Sequence, residues 1–208
     1  MSAAKNRRRI VSLLSVLAAA ALLATWPWPA QYAVRSAAAQ APTCRELLVN
    51  GGFEEGDTGW SQSSAGGYGL ISDFHPRTGR LAAFLGGANR ADDRLSQQIA
   101  LPAGVISATL SFWWAISTTE PGVAFDRMAV SLRRPDGALL ADLMTIDSSA
   151  AENLWDLAEF DLTGYGGQSV ILAFHATTDA NNATDFYVDD ASLVVCLGSK
   201  VYLPILLR

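Results

Sequence analysis

Near its C-terminal end the chain carries the sequence Asp185-Phe186-Tyr187-Val188-Asp189-Asp190-Ala191-Ser192-Leu193, which predicts a β-strand that contains two adjacent carboxylates. Side chains alternate between the two faces of a strand, so Asp189 and Asp190 must point to opposite sides of a sheet. One of them can lie in water, and the other is directed towards the packed side. A carboxylate on the packed side needs a cation or several hydrogen-bond donors, because an unpaired buried charge is very costly.

A second acidic stretch, Asn50-Gly51-Gly52-Phe53-Glu54-Glu55-Gly56, lies near the other end of the predicted domain. We predict that the two stretches meet side by side around a calcium ion and so close a β-sandwich. The ends of the domain would then be joined by the metal as well as by strand pairing.

Residues 1–41 have the features of a secretory signal peptide. Basic residues within positions 5–9 precede the apolar run 10–24, and an A-x-A cleavage pattern occupies positions 39–41. The apolar run is shorter than the roughly 20 residues that a membrane-spanning helix needs. Two alternatives stay open: cleavage after Ala39 instead of Ala41, and an uncleaved N-terminal anchor extended by two tryptophans. The predicted location is secreted or cell-surface.

Removal of the signal peptide makes the chain strongly acidic. Five of the 15 basic residues lie within it and none of the 20 acidic ones, which leaves a net charge near −10. Such a surface repels nucleic acid and anionic lipid. We therefore expect no nucleic-acid partner, and no membrane insertion after signal cleavage.

The remaining chain, about 167 residues, suits one domain with a sizeable core. Apolar residues occupy every second position in 110–117, 127–133 and 170–177, and turn residues bound each run. No convincing amphipathic helix is present. The predicted fold class is all-β, an antiparallel β-sandwich of the jelly-roll type over residues 42–196.

The two cysteines lie just outside the first and last predicted strands. In an oxidising compartment Cys44 and Cys196 are expected to form a disulfide, and two unpaired thiols are the alternative. The closed loop of about 150 residues corresponds to on the order of 4–5 kcal/mol in chain entropy. Beyond them the apolar tail 197–208 is too short to span a bilayer; it predicts either an added edge strand or a docking tail.

The opening sequence Leu48-Val49-Asn50-Gly51-Gly52-Phe53-Glu54-Glu55-Gly56, followed by Gly59-Trp60, resembles the start of carbohydrate-binding modules of the galactose-binding-like jelly-roll group. The closing sequence 186–193 resembles the last strand of the same modules. In between, Leu110-Ser111-Phe112-Trp113-Trp114, Thr119-Glu120, Asp126 and Thr177-Thr178-Asp179 are similar to MAM-like domains. Similar accessory domains accompany secreted metallopeptidases of the immune inhibitor A type. The resemblance covers roughly residues 44–196.

The resemblance implies an eight-to-ten-stranded jelly roll with a structural calcium ion between the first and last strands. Carried over by position, the calcium ligands are the Gly52 carbonyl, the Glu54 and Asp190 side chains, and backbone around 78–80, with Arg80 as the chosen position. Calcium accepts six to eight oxygens of mixed origin, so this set is chemically sensible. Glu55 in place of Glu54, and Asp189 in place of Asp190, remain alternatives.

The sequence does not favour an enzyme. It has two histidines, and it contains neither an H-E-x-x-H nor a G-x-S-x-G motif. A binding role needs exposed aromatic and polar side chains, and the candidates are Trp113, His175, Tyr68 and Trp155. Trp113 and His175 alternate with buried positions and could share a concave groove. We therefore predict a secreted, non-catalytic module for carbohydrate or a cell-surface glycan; the alternative is a MAM-like adhesion or protein-interaction domain without a sugar site.

Overall fold

The computed structural model describes residues 41–120, 125–150 and 154–198. The signal-peptide prediction for 1–41 falls outside these residues except for Ala41, as does the predicted tail beyond residue 198. Within the described residues no helix is long and apolar enough to cross a membrane.

Two antiparallel sheets form a sandwich, which confirms the predicted all-β class. One sheet has six strands in the order β3-β4-β11-β6-β9, with β1 beside β11, and the other has five in the order β2-β5-β10-β7-β8. The resemblance implied eight to ten strands, and the described residues contain eleven because β1, β2 and β3 are short additional pieces. The strands are β1 (Thr43–Glu46), β2 (Ser61–Ser64), β3 (Ile71–Ser72), β4 (Ala82–Gly86), β5 (Asp92–Ala100), β6 (Val105–Thr118), β7 (Arg127–Arg133), β8 (Leu139–Asp147), β9 (Asp156–Asp161), β10 (Ser169–Thr177) and β11 (Thr184–Leu197). One 3-10 turn, Thr163–Tyr165, precedes β10.

The core lies between the sheets and follows the period-two pattern of the sequence. Phe112 on β6 and Phe174 on β10 are fully buried and meet edge to face, with ring centroids 5.2 Å apart. Each such ring contributes roughly 1.5–3 kcal/mol through burial of apolar surface. The residues next to them in sequence therefore point away from the core, on the outer faces of the two sheets.

Trp60 closes one end of the core, as its position after Gly59 suggested. Its ring lies 5.1 Å from that of Phe53 and 6.2 Å from that of Phe174. The indole nitrogen donates a hydrogen bond to the Asn50 carbonyl, at 3.0 Å. The polar tip of this buried side chain is thus satisfied by the turn that carries the opening motif.

The first and last strands pair with each other, and this confirms that the two ends of the domain meet. β1 is antiparallel to β11, with Cys44 opposite Cys196. The two residues form a disulfide. Both β1 and β4 lie on the same edge of β11, and a bulge between Asp189 and Ser192 separates their pairing regions.

The opening turn packs into this bulge. The Ala191 amide donates to the Gly51 carbonyl at 2.9 Å. A Cβ at position 51 would lie only 1.7 Å from the Ala191 carbonyl oxygen. Glycine is therefore required here by close backbone approach, and the acidic pair Asp189-Asp190 is brought next to the opening motif.

Candidate functional site

Glu54, rather than Glu55, faces the segment that the calcium prediction pointed to. Its carboxylate accepts the backbone N–H groups of Arg80, at 2.8 Å, and Leu81, at 2.9 Å. These bonds, with Leu81 the larger contribution, lower the pKa of Glu54. Glu55 is exposed, and its N–H donates to the Asn50 side chain.

Asp190 lies at the same junction and already has protein partners. Its carboxylate accepts the Thr78 hydroxyl at 2.7 Å and pairs with the Arg77 guanidinium at 2.7 Å. Gly52 is close by, since a Cβ there would stand 3.7 Å from an Asp190 carboxylate oxygen. The four predicted calcium residues are thus neighbours, but Arg80 directs an N–H, not a carbonyl, at Glu54.

Asp189 is the buried member of the acidic pair, but it lies on the outer face of the six-stranded sheet, opposite Trp113, where residues 73–80 cover it. It is fully buried, and its carboxylate accepts the N–H groups of Arg77, Thr78 and Asp190 at 2.9, 3.1 and 2.7 Å. Burial raises the pKa of Asp189 despite these bonds. The sequence allowed a cation or several donors here, and the structure supplies the donors. The calcium site at Gly52, Glu54, Arg80 and Asp190 stays a prediction. The carboxylates of Glu54 and Asp190 already have protein partners and do not need an ion to be satisfied.

A second acidic cluster could hold a metal ion: Glu120, Asp126 and Asp179 each offer an oxygen, and these oxygens lie within 4.8 Å of one another. Asp126 is fully buried and accepts the N–H groups of Asp179, at 2.7 Å, and Thr184, at 2.8 Å. Glu120 is only 9% exposed, and its Oε1 has no hydrogen-bond partner among the described residues. Burial, followed by the charges of Asp126 and Asp179, raises the pKa of Glu120.

This donor set fits a hard cation. Three carboxylates in one place repel each other, and the unpartnered Glu120 oxygen is costly unless a positive charge lies beside it. Calcium takes oxygen ligands of this type. In the sequence these three acids belong to the segments that resemble MAM-like domains, and the polar loop 178–184 that contains Asp179 was a candidate for a second ion, but nothing there grouped Asp179 with Glu120 and Asp126. Glu120 follows β6, Asp126 precedes β7 and Asp179 follows β10. The pairing of β7 with β10, and of β6 with β11, brings these three strand ends together.

Two of the predicted ligand-binding residues lie on the outer side of the six-stranded sheet, where residues 73–80 cover it. The Arg77 guanidinium stands 3.7 Å above the Trp113 ring. Trp155 stacks on His75, with the ring planes 6° apart and the centroids separated by 5.7 Å. Both tryptophans are therefore partly engaged by the loop that Asp189 anchors.

Tyr68 is engaged inside the protein. Its hydroxyl lies 2.7 Å from an Asp93 carboxylate oxygen and 2.5 Å from the Gly86 carbonyl. Burial, and then the hydrogen bond to Asp93, raise the pKa of Tyr68 to about 12. A structural role accounts for these contacts.

His175 lies on the outer face of the five-stranded sheet, so the expectation that it shares a groove with Trp113 is wrong. Trp113 belongs to β6 of the six-stranded sheet, and His175 to β10 of the other. Period-two alternation separates inward from outward positions and does not say which sheet a strand joins. His175 Nε2 is hydrogen bonded to Asp92 at 2.9 Å, and Arg94 pairs with the same carboxylate at 3.0 Å.

A groove follows β10 on this outer face, and we call it the β10 groove. It consists of two depressions, of about 350 and 310 Å³, that share His175. Burial raises the pKa of Asp92, but the His175 hydrogen bond and the Arg94 charge outweigh it, so the net pKa is lowered. The depressions are lined by Arg94, Ser96, Arg127, Ala129, Arg133, Gly137, Thr145, Ile171, Ala173, Phe174, His175 and Thr177.

No protein-family model matches this chain. The pre-pro-metalloprotease PrtV of Vibrio cholerae is 33% identical over 138 residues, which cover 60% of this chain and 14% of PrtV. This chain therefore spans about one-seventh of that curated relative.

Two solved structures of carbohydrate-binding modules are similar to this chain. The module TmCBM61, solved with β-1,4-galactotriose, has a TM-score of 0.54 and 19% identity, covering 72% of this chain and 97% of that one. The second module of a family 16 carbohydrate-binding structure has a TM-score of 0.47 and 21% identity, covering 71% and 98%. The likeness to TmCBM61 shows a shared β-sandwich fold, in agreement with the fold that the sequence resemblance implied.

Proposed function

We propose that this chain is a secreted, non-catalytic module that binds a carbohydrate chain in the β10 groove. The observation that carries the proposal is an elongated depression, lined by arginines, His175 and small side chains, in a fold shared with a module solved with a galactotriose. The groove follows β10 from Ile171 to Thr177, about 20 Å at the rise of a strand. That length suits an oligosaccharide segment better than a single sugar.

The small residues on the floor allow a direct test. Ala173→Leu fills the groove without changing its charge, whereas Ala65→Leu adds the same volume on an exposed turn. Binding to a polysaccharide panel is measured by affinity gel electrophoresis and by titration calorimetry. We expect Ala173→Leu to weaken binding at least about tenfold, roughly 1.4 kcal/mol, while Ala65→Leu binds as the wild type does. Glycan binding that Ala173→Leu leaves unchanged would place the site elsewhere, and no glycan binding would refute the proposal.

A structural calcium ion is part of the proposal. Glu120, Asp126 and Asp179 are the better supported ligands, because Glu120 Oε1 is buried without a hydrogen-bond partner among the described residues. The residues Gly52, Glu54, Arg80 and Asp190 are the other candidate position. When bound, the ion would neutralise the carboxylates and tie the chain segments that carry them.

Thermal unfolding with calcium and with chelator separates the two positions. Calcium at about 100 times its Kd should stabilise the folded state by about 2.7 kcal/mol and raise the Tm. Glu120→Gln should abolish this shift if the ion lies in the acidic cluster, and Glu54→Gln should abolish it if the ion joins the first and last strands. A wild-type Tm that does not respond to calcium or chelator refutes the ion.

The second candidate function is adhesion or binding to a protein partner, and one surface favours it. Phe74, Leu154 and Leu157 are each about half or more exposed and lie around the His75–Trp155 stack. If no glycan binds, and if Phe74→Ser with Leu157→Ser lowers concentration-dependent self-association in sedimentation, this function replaces the first. Unchanged sedimentation would count against it.

A further inference from the structure

We infer that the β10 groove takes an anionic polysaccharide, one that carries carboxylate or sulfate groups along its chain. The inference rests on the proposed function and names the chemical class of its ligand. Three observations carry it: the absence of an exposed Trp, Tyr or Phe ring among the described lining residues, the arrangement of the arginines, and the absence of a carboxylate from the same lining.

No exposed Trp, Tyr or Phe ring lines the groove among the described residues, and the exposed ring that does line it, the His175 imidazole, is hydrogen bonded to Asp92. Phe174 contributes to the lining, but its side chain is fully buried and packs against Phe112 and Trp60. The tryptophans predicted to bind ligand lie on the other sheet, where Arg77 covers Trp113. A neutral sugar presents an apolar face that stacks on such rings, so the groove lacks the main contact that a neutral chain would use.

Arginines take the place of rings. Strand pairing puts Arg94, His175 and Ala129 in one row across β5, β10 and β7. The next row is Ser96, Ala173 and Ser131, which makes a floor of small side chains. Arg133 and Arg127 lie beyond these rows in opposite directions, six residues apart on β7, or about 20 Å. The guanidinium groups thus stand along an extended groove rather than around one point.

These guanidinium groups are available to a ligand. Arg133 donates to the Gly137 carbonyl at 3.1 Å and has no carboxylate partner among the described residues. Arg127 likewise forms no ion pair within the described part of the chain, although Asp147 lies opposite it on β8. The side chains of Arg94 and Asp92 are 54% and 45% exposed, so their ion pair contributes little to stability. Arg94 can therefore readily exchange Asp92 for the anionic group of a ligand.

Three acids belong to the same face and limit the positive charge. Asp92 binds Arg94 and His175, and the Asp147 carboxylate accepts the N–H and O–H of Ser149. The pairing of Ser131 with Asp142 places Asp142 at the β8 edge of the floor. None of the three lines the two depressions, so the lining itself carries arginines and no carboxylate. The positive potential at the groove can therefore attract an anionic ligand although the net charge of the chain is negative.

Guanidinium groups bind carboxylate and sulfate groups through two parallel hydrogen bonds. The experiment measures the Kd of the purified protein for polygalacturonate, dextran sulfate, neutral galactan and single-stranded DNA, at about 50 and 200 mM salt. The first two polymers distinguish carboxylate from sulfate. Variants are Arg94→Gln, Arg133→Gln and Asp142→Asn, with Arg45→Gln on exposed β1 as the matched control.

We expect an acidic polysaccharide to bind at least about tenfold tighter than galactan. Each groove arginine substitution should weaken that binding about tenfold without changing Tm, and Arg45→Gln should have no effect. Asp142→Asn should strengthen binding about two- to fivefold, since it removes a repelling charge. Higher salt should weaken binding in the wild type more than in Arg133→Gln.

Each contrary result has a distinct meaning. Galactan bound as tightly as the acidic chains, in the groove that Ala173→Leu fills, keeps the proposed function and overturns this inference. Binding to none of the polysaccharides overturns both. Single-stranded DNA bound equally well, or Arg45→Gln as damaging as Arg133→Gln, shows unspecific attraction of polyanions and also overturns it.

Discussion

Replacing Asp189 by alanine should destabilise the protein more than any other single loss of a carboxylate at the bulge of β11. Asp189 is fully buried beneath residues 73–80 and accepts the N–H groups of Arg77 and Thr78. These residues connect β3 to β4 and pair with no strand. The carboxylate is thus an anchor that holds the loop on the outer face of the six-stranded sheet.

The magnitude follows from the bonds that are lost. A hydrogen bond to a charged group contributes about 1.5–3 kcal/mol, and two of the three bonds join residues more than 100 positions apart. The third, from Asp190, is local and contributes less. Burial, which raises the pKa of Asp189, opposes the charged form, so the lower part of the range applies. We expect a loss of about 3–4 kcal/mol.

Urea unfolding followed by tryptophan fluorescence measures this loss, because Trp113 lies under Arg77 of the same loop. Asp73→Ala is the matched control, since Asp73 is exposed at the start of the loop. It should stay within about 0.5 kcal/mol of the wild type. A loss below about 1 kcal/mol for Asp189→Ala would refute the anchor. A loss that occurs only with calcium and disappears with chelator would instead make Asp189 a metal ligand.

Three further predictions concern stability. Replacing Cys44 and Cys196 by serine opens a loop of 152 residues and should cost about 5 kcal/mol in a urea titration; a cost below about 2 kcal/mol would show that pairing of β1 keeps the ends together without the bond. Gly51→Ala places a Cβ against the Ala191 carbonyl and should cost about 3 kcal/mol or more, and a normal Tm would contradict the tight turn. The pKa of Tyr68 is raised to about 12, so its phenol proton stabilises the fold below pH 10, and this contribution is lost as pH rises from about 10 to 12. Tyr68→Phe should cost about 1 kcal/mol at neutral pH, make that alkaline decline in Tm shallower and leave glycan binding intact; lost binding would give Tyr68 a ligand role instead.

The sequence was sufficient to predict the architecture because burial has a period of two in strands. Phe112 and Phe174 lie at the inward positions that the alternation indicated. Cys44 and Cys196 lie within β1 and β11 rather than just outside the first and last strands, but their positions at the two ends of the domain were enough to predict the disulfide. Each of these inferences needs only local pattern or order along the chain.

The candidate sites needed information that a local pattern does not contain. Trp113 and His175 are both outward positions, yet they belong to different sheets. The acidic cluster joins Glu120 and Asp126 to Asp179, more than 50 residues further along the chain. Such groupings depend on strand order and register, which β-sandwich sequences specify only through the whole fold.

The same register explains why the two outer faces differ in what they can bind. The bulge that turns Asp190 outward leaves Asp189 buried in need of donors, and residues 73–80 provide them. In doing so they place Arg77 over Trp113 and His75 against Trp155, which occupies the aromatic face of the six-stranded sheet. Among the described residues, no ring or guanidinium group stacks on His175 as Arg77 does on Trp113, and His175 lines both depressions of the β10 groove. We therefore expect a ligand of the β10 groove to contact arginines and small residues, because the tryptophan rings that would favour a neutral sugar pack against the loop 73–80 on the other sheet.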